Sequence, residues 1–254
     1  MLAIHAVPAF KDNYIWMLES GGKAVAVDPG DAAPVERFLE ENAFTLTAVL
    51  ATHHHMDHVG GLEALARRWK CPTFGPAREV AAHLDRRLAE GDGFTVPGIE
   101  VTLETLDIPG HTAGHIALFG AGALFCGDTL FACGCGRLFE GTPAQMSDSL
   151  GKLARLPGET RVYCGHEYTM ANIRFAEAVE PGNRALAARK VREQAKRARG
   201  EATLPSTIAD ELATNPFLRC AEPAVIAAAQ HKAGRSLSTQ VEVFAAVRAW
   251  KDAF

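Results

Sequence analysis

The sequence predicts a layered α/β fold, because short apolar runs alternate with amphipathic helical segments over the first two thirds of the 254-residue chain. The apolar runs are rich in β-branched residues and end near Gly, Pro or Asp, which is typical of buried strands. The predicted strands are Lys23–Val27, Leu46–Leu50, Val101–Ile108, Ala123–Cys126 and Arg161–Cys164. After about residue 167 helical patterns replace the strand signals. We therefore predict two domains, an α/β domain over 1–166 and a helical domain over 167–254.

Apolar residues at helical spacing predict the helices. The predicted helices include one from Pro34 to about Asn42, one through Leu62, Leu65, Ala66 and Trp69, a basic one from Arg184 to Arg199, and a last one capped by Thr239 and Glu242. On the last helix we expect a packed stripe of Val243, Phe244, Val247 and Trp250. On the basic helix we expect an inward face of Ala187, Val191, Ala195 and Ala198.

Composition excludes several classes of protein. With 48% hydrophobic and 22% charged residues the chain is expected to fold, and a formal charge of -4 gives no global positive field for a nucleic acid. No apolar run approaches the roughly 20 residues of a membrane-spanning helix, and the start of the chain lacks the basic segment of an export signal. The six cysteines include no C-x-x-C pair and suit reduced thiols. We expect a soluble cytoplasmic monomer that binds neither membranes nor nucleic acid.

A cluster of histidines, THHHMDH, comes directly after a predicted strand. In an extended segment alternate residues share a side, so His53 and His55 can bind one metal ion while His54 points elsewhere. Asp57 and His58 lie at the turn into the next helix and can bind a second ion. A lone histidine would be ordinary polar surface, but so many potential ligands at one strand end favour a metal site.

Three later strand ends carry matching groups. They are PGHTAGH with His111 and His115, CGDT with Asp128, and CGHE with His166. Imidazole and carboxylate are ligands that zinc, iron and manganese all accept. The sequence therefore predicts a metal site assembled from four strand ends.

The ordered set His-x-His-x-Asp-His, Gly-His-Thr, Gly-Asp-Thr and Gly-His resembles the metallo-β-lactamase superfamily. This resemblance implies an αββα sandwich with the metal site at its edge and with two divalent ions per chain. The implied ligands are His53, His55 and His111 for the first ion, Asp57, His58 and His166 for the second, and Asp128 bridging both. Zinc is the expected metal, with iron and manganese as alternatives.

A finer resemblance is to the glyoxalase II family, the hydroxyacylglutathione hydrolases. Its hallmarks here are Asp12-Asn13-Tyr14, the run CGCGRLFEGT from Cys133, GHEYT from Gly165, PST from Pro205, NPFLR from Asn215, and VR-x-x-KD from Val247. The resemblance spans essentially the whole chain. It implies hydrolysis of S-D-lactoylglutathione and related S-2-hydroxyacylglutathiones to D-lactate and glutathione, the second step of methylglyoxal detoxification.

The same resemblance implies that Arg137, Tyr168, Arg248 and Lys251 bind the glutathione part of the substrate. Arg248 and Lys251 are three residues apart on a predicted helix and share a face, which suits a carboxylate; the alternative is a solvated basic face. Animal members of the family carry Lys in place of Arg137 and Tyr in place of Phe139. The hydroxyl that such a Tyr supplies is absent from Phe139.

Two metal ions roughly 3.5–4 Å apart share a water and lower its pKa towards neutrality. We therefore hypothesise that a metal-bridging hydroxide, held with Asp57 and Asp128, attacks the thioester carbonyl. Because a thiol has a pKa near 8.5, its thiolate leaves with little help from a general acid. Asp28, His54 and His115 are candidates to orient the ligands, and purely structural roles are the alternative for each.

The basic run Arg184 to Arg199, with seven cations and one acid, raises the alternative of an RNA-processing metallo-nuclease of the same superfamily. A solvated helix face is the simpler interpretation, and such nucleases carry an inserted domain or arm for which this chain has no room. A secreted β-lactamase would carry an export signal, and a persulfide dioxygenase uses one iron. A non-enzymatic metal-binding module would not need the glutathione-type terminus.

Cys133 and Cys135 are interpreted as residues that pack their loop rather than as metal ligands or a redox pair.

Overall fold

The computed structural model describes residues 2–79 and 84–254. In these residues the strands are β1 (Ala3–Ala9), β2 (Asn13–Ser20), β3 (Lys23–Val27), β4 (Thr45–Leu50), β5 (Thr73–Pro76), β6 (Arg86–Leu88), β7 (Gly93–Val96), β8 (Val101–Asp107), β9 (Ile116–Gly120), β10 (Ala123–Gly127), β11 (Leu130–Phe131), β12 (Gly134–Cys135), β13 (Arg161–Cys164) and β14 (Ser206–Thr207). The helices are α1 (Ala32–Asn42), α2 (Met56–Val59), α3 (Leu62–Trp69), α4 (Pro143–Leu153), α5 (Thr169–Val179), α6 (Arg184–Ala198), α7 (Ile208–Thr214), α8 (Pro223–Ala233) and α9 (Gln240–Asp252).

Two six-stranded sheets form the middle layers of the described structure. The first has the order β1-β2-β3-β4-β5-β6, and the second has the order β14-β13-β10-β9-β8-β7. Strands β3 to β6 run parallel, as do β10 and β13, whereas the hairpins β1–β2 and β8–β9 are antiparallel. The parallel pairs direct several strand ends to the same edge, where the predicted ligands follow β4, β10 and β13.

The alternation of side chains along β2 explains the layering. Trp16 and Leu18 pack into the large core that also contains Phe125 of the second sheet, while Ile15 and Met17 pack into a separate core beneath α1 and α3. Both faces of β2 are therefore buried, and this strand has no polar alternation. The αββα class and the helical C-terminal part predicted from the sequence are confirmed.

The strands and helices that the sequence predicts agree with β3, β4, β8, β10 and β13 and with α1, α3, α6 and α9 to within a few residues. On α9 the predicted capping box is present, because Thr239 Oγ1 accepts from the Glu242 amide and the Glu242 carboxylate accepts from the Thr239 amide. Val243, Phe244 and Val247 of its predicted stripe are buried.

The prediction that strand signals stop after residue 167 is wrong at one place. Ser206 and Thr207 form β14, which pairs antiparallel with Val162 and Arg161 of β13. Two residues are too few for side-chain alternation to indicate a strand. This pairing joins the C-terminal part of the chain to the edge of the second sheet.

The predicted inward face of α6 is also wrong. The four residues that the pattern turned inward are all exposed, namely Ala187, Val191, Ala195 and Ala198. Leu186, Arg189 and Glu193 are buried instead. Arg189 donates to Glu211 at 2.7 Å and to Thr214 at 2.6 Å, so the helix packs through a buried ion pair that a hydrophobicity pattern does not indicate.

Removal of the buried cation should destabilise the fold. We expect Arg189→Met to lower the free energy of unfolding by about 3–5 kcal/mol, because Glu211 would be left buried without its partner. Lys190→Met, on the same helix and paired with Glu177 near the surface, should cost about 1 kcal/mol or less. Urea unfolding of the two variants checks this, and equal losses would contradict it.

Candidate metal centre

The segment that follows β4 is held in place before it reaches the histidines. The Thr52 amide and hydroxyl both donate to the carboxylate of Asp28, at the end of the neighbouring strand β3. The chain then passes so close to β3 that a Cβ atom on Gly30 would lie 1.9 Å from the backbone oxygen of Asp57. Only glycine fits there.

The structure brings His53, His55 and His111 together as a first cluster, whose ligand atoms all lie within 4.8 Å of one another. His55 Nδ1 and His111 Nε2 are 3.0 Å apart. His53 Nε2 is buried and has no hydrogen-bond partner among the described residues. A buried nitrogen without a partner beside two further imidazoles fits a bound cation.

The structure brings Asp57, His58 and His166 together as a second cluster with the same spread of ligand atoms. Asp57 Oδ2 lies 3.5 Å from His58 Nε2 and 3.4 Å from His166 Nε2. Within residues 2–79 and 84–254, the buried His58 Nε2 has no hydrogen-bond partner, like His53 Nε2 of the first cluster.

Asp128 lies between the two clusters. Its carboxylate is 3.5 Å from His111 Nε2 of the first cluster and 3.4 Å and 3.3 Å from His58 Nε2 and His166 Nε2 of the second. Space for it depends on Gly165, where a Cβ would lie 2.6 Å from Asp128 Oδ1. Because Asp128 Oδ1 is buried and accepts no hydrogen bond from the part of the chain that the structure describes, the donor set suits cations on both sides.

Contacts on the far side of each ring hold the imidazoles in place. His111 Nδ1 donates to the carbonyl of Arg137 at 2.9 Å, and His58 Nδ1 lies 3.1 Å from Asp28 Oδ2. These contacts leave the Nε2 atoms facing the cluster. His53 stacks on the ring of His115, with centroids 4.5 Å apart.

Of the three residues proposed from the sequence to orient ligands, two contact the clusters and one faces away. Asp28 contacts His58, and His115 Nε2 accepts from the Asp128 amide at 3.2 Å. His54 instead lies between the carboxylates of Glu79 and Glu140, at 2.9 Å and 3.2 Å.

The charges in the two clusters depend on one another. The hydrogen bond from His166 lowers the pKa of Asp57, whereas burial would raise it. Burial also raises the pKa of Asp128, but His58 and His166 outweigh it and hold that pKa well below the usual range. Both carboxylates are therefore ionised at neutral pH, which suits divalent cations. Burial lowers the pKa of His53 and keeps that ring neutral, as a metal ligand requires. At His58 and His166 burial acts in the same direction, but the neighbouring carboxylates outweigh it and raise both pKa values, that of His166 to about 10, so a cation bound there would displace a proton from each ring.

A cavity of about 630 Å³ opens beside both clusters. Its lining contains His55, Asp57, His111, Asp128 and His166 together with the five residues predicted to bind substrate, Arg137, Phe139, Tyr168, Arg248 and Lys251. The sequence places these groups in segments up to about 200 residues apart, and the fold brings them to one cavity.

Two models of known families match the chain. The metallo-beta-lactamase superfamily matches residues 10–166, and the C-terminus of hydroxyacylglutathione hydrolase matches residues 167–254. The chain is 57% identical over 254 residues to the hydroxyacylglutathione hydrolase of Alkalilimnicola ehrlichii, with 99% of each chain covered. It is 51% identical to that of Nitrosomonas europaea, with 100% of this chain and 97% of the relative covered. The chain belongs to the hydroxyacylglutathione hydrolase family.

Solved structures share the fold of this chain. The chain is similar to ETHE1 from Myxococcus xanthus, with a TM-score of 0.64, 26% identity and coverage of 100% of this chain and 99% of the other. It is also similar to TTHA1623 in a di-iron-bound form, with a TM-score of 0.55, 26% identity and coverage of 65% and 91%. The resemblance stated from the sequence is thereby confirmed.

In this member of the hydroxyacylglutathione hydrolase family, one wall of the cavity is cationic. Arg248 is only 5% exposed, so the alternative of a solvated basic face is wrong for it. It donates to the Cys135 carbonyl at 2.9 Å and to Asp252 at 2.8 Å. Lys251 is partly buried, and burial together with Arg248 and Arg174 lowers its pKa to about 8.

Two aromatic rings lie directly against the metal-cluster histidines. Tyr168 stacks on His166, with centroids 4.8 Å apart and planes 4° from parallel. Phe139 is 64% exposed and makes edge contacts with His55 and His111, at 5.6 Å and 5.3 Å between centroids. The structure thus places Phe139 against the first cluster.

The cations of the basic helix are mostly paired with acids. Among the described residues the pairs are Lys190–Glu177, Arg192–Asp210, Lys196–Glu193, Arg197–Glu167 and Arg199–Glu201, and Arg189 is buried. Paired cations offer little free charge to the phosphates of an RNA. This arrangement and the family membership do not favour the nuclease alternative.

Sequence reasoning missed several residues that contact the clusters. Asp12 accepts from His166 Nδ1 at 2.8 Å, and Asn13 donates to Asp57 at 3.0 Å. Buried Glu79, which holds His54 away from the clusters, was missed as well. Asp12 and Asn13 belong to a hallmark whose role the sequence did not indicate. Their partners lie 154 and 44 residues away, so no spacing pattern could reveal them.

Cys133 and Cys135 lie outside both clusters. Cys133 Sγ contacts Thr214, and burial raises the pKa of this thiol to about 12. Burial likewise raises the pKa of Cys135 to about 11. Such thiols are protonated and poor ligands, which agrees with their interpretation as packing residues.

No helix within residues 2–79 and 84–254 is long and apolar enough to cross a membrane.

Adjacent histidines allow a matched test of the first cluster. We expect His55→Gln to lower the metal content of the purified protein, because it removes a nitrogen that faces the cluster. His54→Gln should leave the metal content unchanged, because His54 contacts Glu79 and Glu140 instead. Elemental analysis gives metal ions per chain, and equal content in both variants would contradict the geometry.

Proposed function

We propose that the chain is a metal-dependent thioester hydrolase that cleaves S-D-lactoylglutathione, and related S-2-hydroxyacylglutathiones, to D-lactate and glutathione. The observation that carries this proposal is the single cavity that metal-binding and cationic side chains line together. A thioester of an anionic tripeptide needs both kinds of group. The reaction would be the second step of methylglyoxal detoxification.

Two divalent ions per chain belong to the proposal. The proposed ligands are His53, His55 and His111 for one ion, Asp57, His58 and His166 for the other, and Asp128 for both. Zinc is the proposed metal, and iron or manganese suits the same ligands. A pair of ions is supported by the similar structure described as di-iron-bound. When bound, the ions supply Lewis acidity and lower the pKa of water to near neutrality.

Asp57 and Asp128 are the proposed catalytic carboxylates. Their low pKa values keep them ionised at neutral pH, so that each holds positive charge beside the reacting carbonyl. The leaving group is a thiolate with an ordinary pKa near 8.5, so the site needs no strong acid to protonate it. The ready departure of the thiolate explains why the site consists mainly of candidate metal ligands and contains few other catalytic groups.

The glutathione part of the substrate is proposed to lie along Arg137, Tyr168, Arg248 and Lys251. The contacts of Arg248 with Cys135 and Asp252 fix its guanidinium, so it contributes positive charge to the wall without moving. The ammonium of Lys251 lies 3.5 Å from the Ala171 carbonyl and 5.1 Å from the centre of the Phe175 ring, and it forms no ion pair with the residues that the structure describes. Lys251 is therefore the group best able to bind a carboxylate. Phe139 offers an apolar surface next to the first cluster.

The division into 1–166 and 167–254 is proposed to separate metal binding from much of substrate binding. The proposed ligands come from the first part, whereas Arg248 and Lys251 come from the last helix. A cytoplasmic monomer is proposed as well. The free, buried state of all six cysteines supports a reducing compartment.

Purified, metal-analysed protein should hydrolyse S-D-lactoylglutathione, measured as loss of thioester absorbance. Chelation should abolish the activity and added zinc should restore it, because both depend on the metal centre. A β-lactam and an RNA serve as parallel substrates and should remain intact. Absence of thioester cleavage by protein that carries two metal ions would contradict the proposed function.

The lowered pKa of Lys251 predicts a pH dependence of substrate binding. Below pH 8 the ammonium is charged and binds a carboxylate; above pH 8 the charge is lost, so KM should rise between pH 7 and pH 9. Lys251→Met should raise KM about tenfold at pH 7, the effect of a charge-assisted hydrogen bond of about 1.5 kcal/mol.

Lys251→Arg is the matched control, because a guanidinium stays charged over this range. Its KM should lack the rise that the wild type has between pH 7 and pH 9. Comparison of the two profiles removes titrations that belong to the substrate. Identical profiles would show that Lys251 does not bind the anionic part of the substrate.

A further inference from the structure

The segment Asp12-Asn13-Tyr14 lies at the turn from β1 into β2, directly beside the end of β13. Two backbone hydrogen bonds join it to the segment around His166: the Tyr14 amide donates to the Gly165 carbonyl, and the Glu167 amide donates to the Asp12 carbonyl, both at 2.8 Å. These bonds flank His166 on both sides. The three side chains of the segment are therefore held in register with the second cluster.

Asp12 fixes the ring of His166. Its Oδ1 atom lies 2.8 Å from His166 Nδ1, which must donate to a carboxylate. The hydrogen bond places the proton on Nδ1 and turns Nε2 towards Asp57 and Asp128, at 3.4 Å and 3.3 Å. A carboxylate behind a histidine ligand also increases the basicity of the ligating nitrogen.

Asn13 fixes the carboxylate of Asp57. Asn13 is buried, and its side-chain amide donates to Asp57 Oδ2 at 3.0 Å and to the Asp57 carbonyl at 3.3 Å. The side chain of Asp57 is 43% exposed, so it would otherwise be free to change rotamer. Two hydrogen bonds from one amide hold it in the orientation that faces His58 and His166.

Tyr14, the third residue of the segment, contacts neither cluster, and the first cluster has no contact with Asp12 or Asn13 among the described residues. Tyr14 Oη donates to Glu167 at 3.0 Å, and that carboxylate accepts from Thr203 rather than contacting a cluster. The first cluster is oriented by other partners, namely Thr52 Oγ1 at His53 and the Arg137 carbonyl at His111.

We propose that Asp12 and Asn13 are positioning residues that set the affinity of the second cluster for its metal ion and leave the first cluster unaffected. The proposal rests on the two-metal centre of the proposed function. Loss of either side chain would free its partner, His166 or Asp57, to rotate. The second ion would then be held less tightly, while the fold and the binding of the first ion would be unchanged.

The test is release of zinc from the zinc-loaded holoenzyme to a chromogenic chelator of increasing concentration. We expect Asp12→Ala and Asn13→Ala to release one zinc ion per chain at a chelator concentration about 10- to 100-fold lower than the wild type does. The other zinc ion should leave at the wild-type concentration. Tyr14→Phe changes the next residue of the same segment and also removes one side-chain hydrogen bond, and it should release both ions as the wild type does.

Asp12→Asn keeps the shape of the side chain and changes only its charge, so it guards against a folding defect in Asp12→Ala. Thermal unfolding of each variant provides the same check. The proposal is overturned if the variants release both ions as the wild type does, or if both ions leave equally early. Thioester cleavage is measured separately on the wild type, so a failure of the proposed substrate would leave the zinc-release result intact.

Discussion

The carboxylate of Asp128 is the group on which the arrangement of the site depends. It is buried among His58, His111 and His166, which come from three separate strand ends. An ionised carboxylate in such a place is costly unless positive charge surrounds it, so the fold must bring cations or cationic rings to it. The close approach of Gly165 and the hydrogen bond that the Asp128 backbone amide donates to His115 Nε2 keep Asp128 in this position.

The sequence predicts those parts of the molecule in which local pattern and packing agree. The strands beside the site, the capping box of α9 and the run of histidines after β4 follow from residues close together in the chain. The inward face of α6 could not be predicted in this way, because the burial of Arg189 depends on an ion pair with Glu211, 22 residues away. Sequence patterns record hydrophobicity, whereas this helix packs through charge.

The contacts around the clusters could not be predicted for a different reason. The candidate ligands could be named because each follows a strand with a fixed motif, but their orienting partners lie on other segments. Asn13 meets Asp57 and Arg248 meets Cys135 only through the tertiary fold. The burial of Arg248 could not be predicted for the same reason. Helical spacing indicates that Arg248 and Lys251 share a face of the helix, but it does not indicate which residues cover that face.

The hydrogen bond between Asp12 and His166 joins residues that are 154 positions apart in the chain. This separation bears on the order in which the candidate metal centre forms. During synthesis the chain has all three residues of the first cluster once His111 has been made, whereas the second cluster waits for His166. Contacts of such long sequence separation form late in folding, because the entropy of closing the intervening loop opposes them. The residues proposed for the two ions are therefore completed at different stages of synthesis, the first set with Asp128 and the second only with His166.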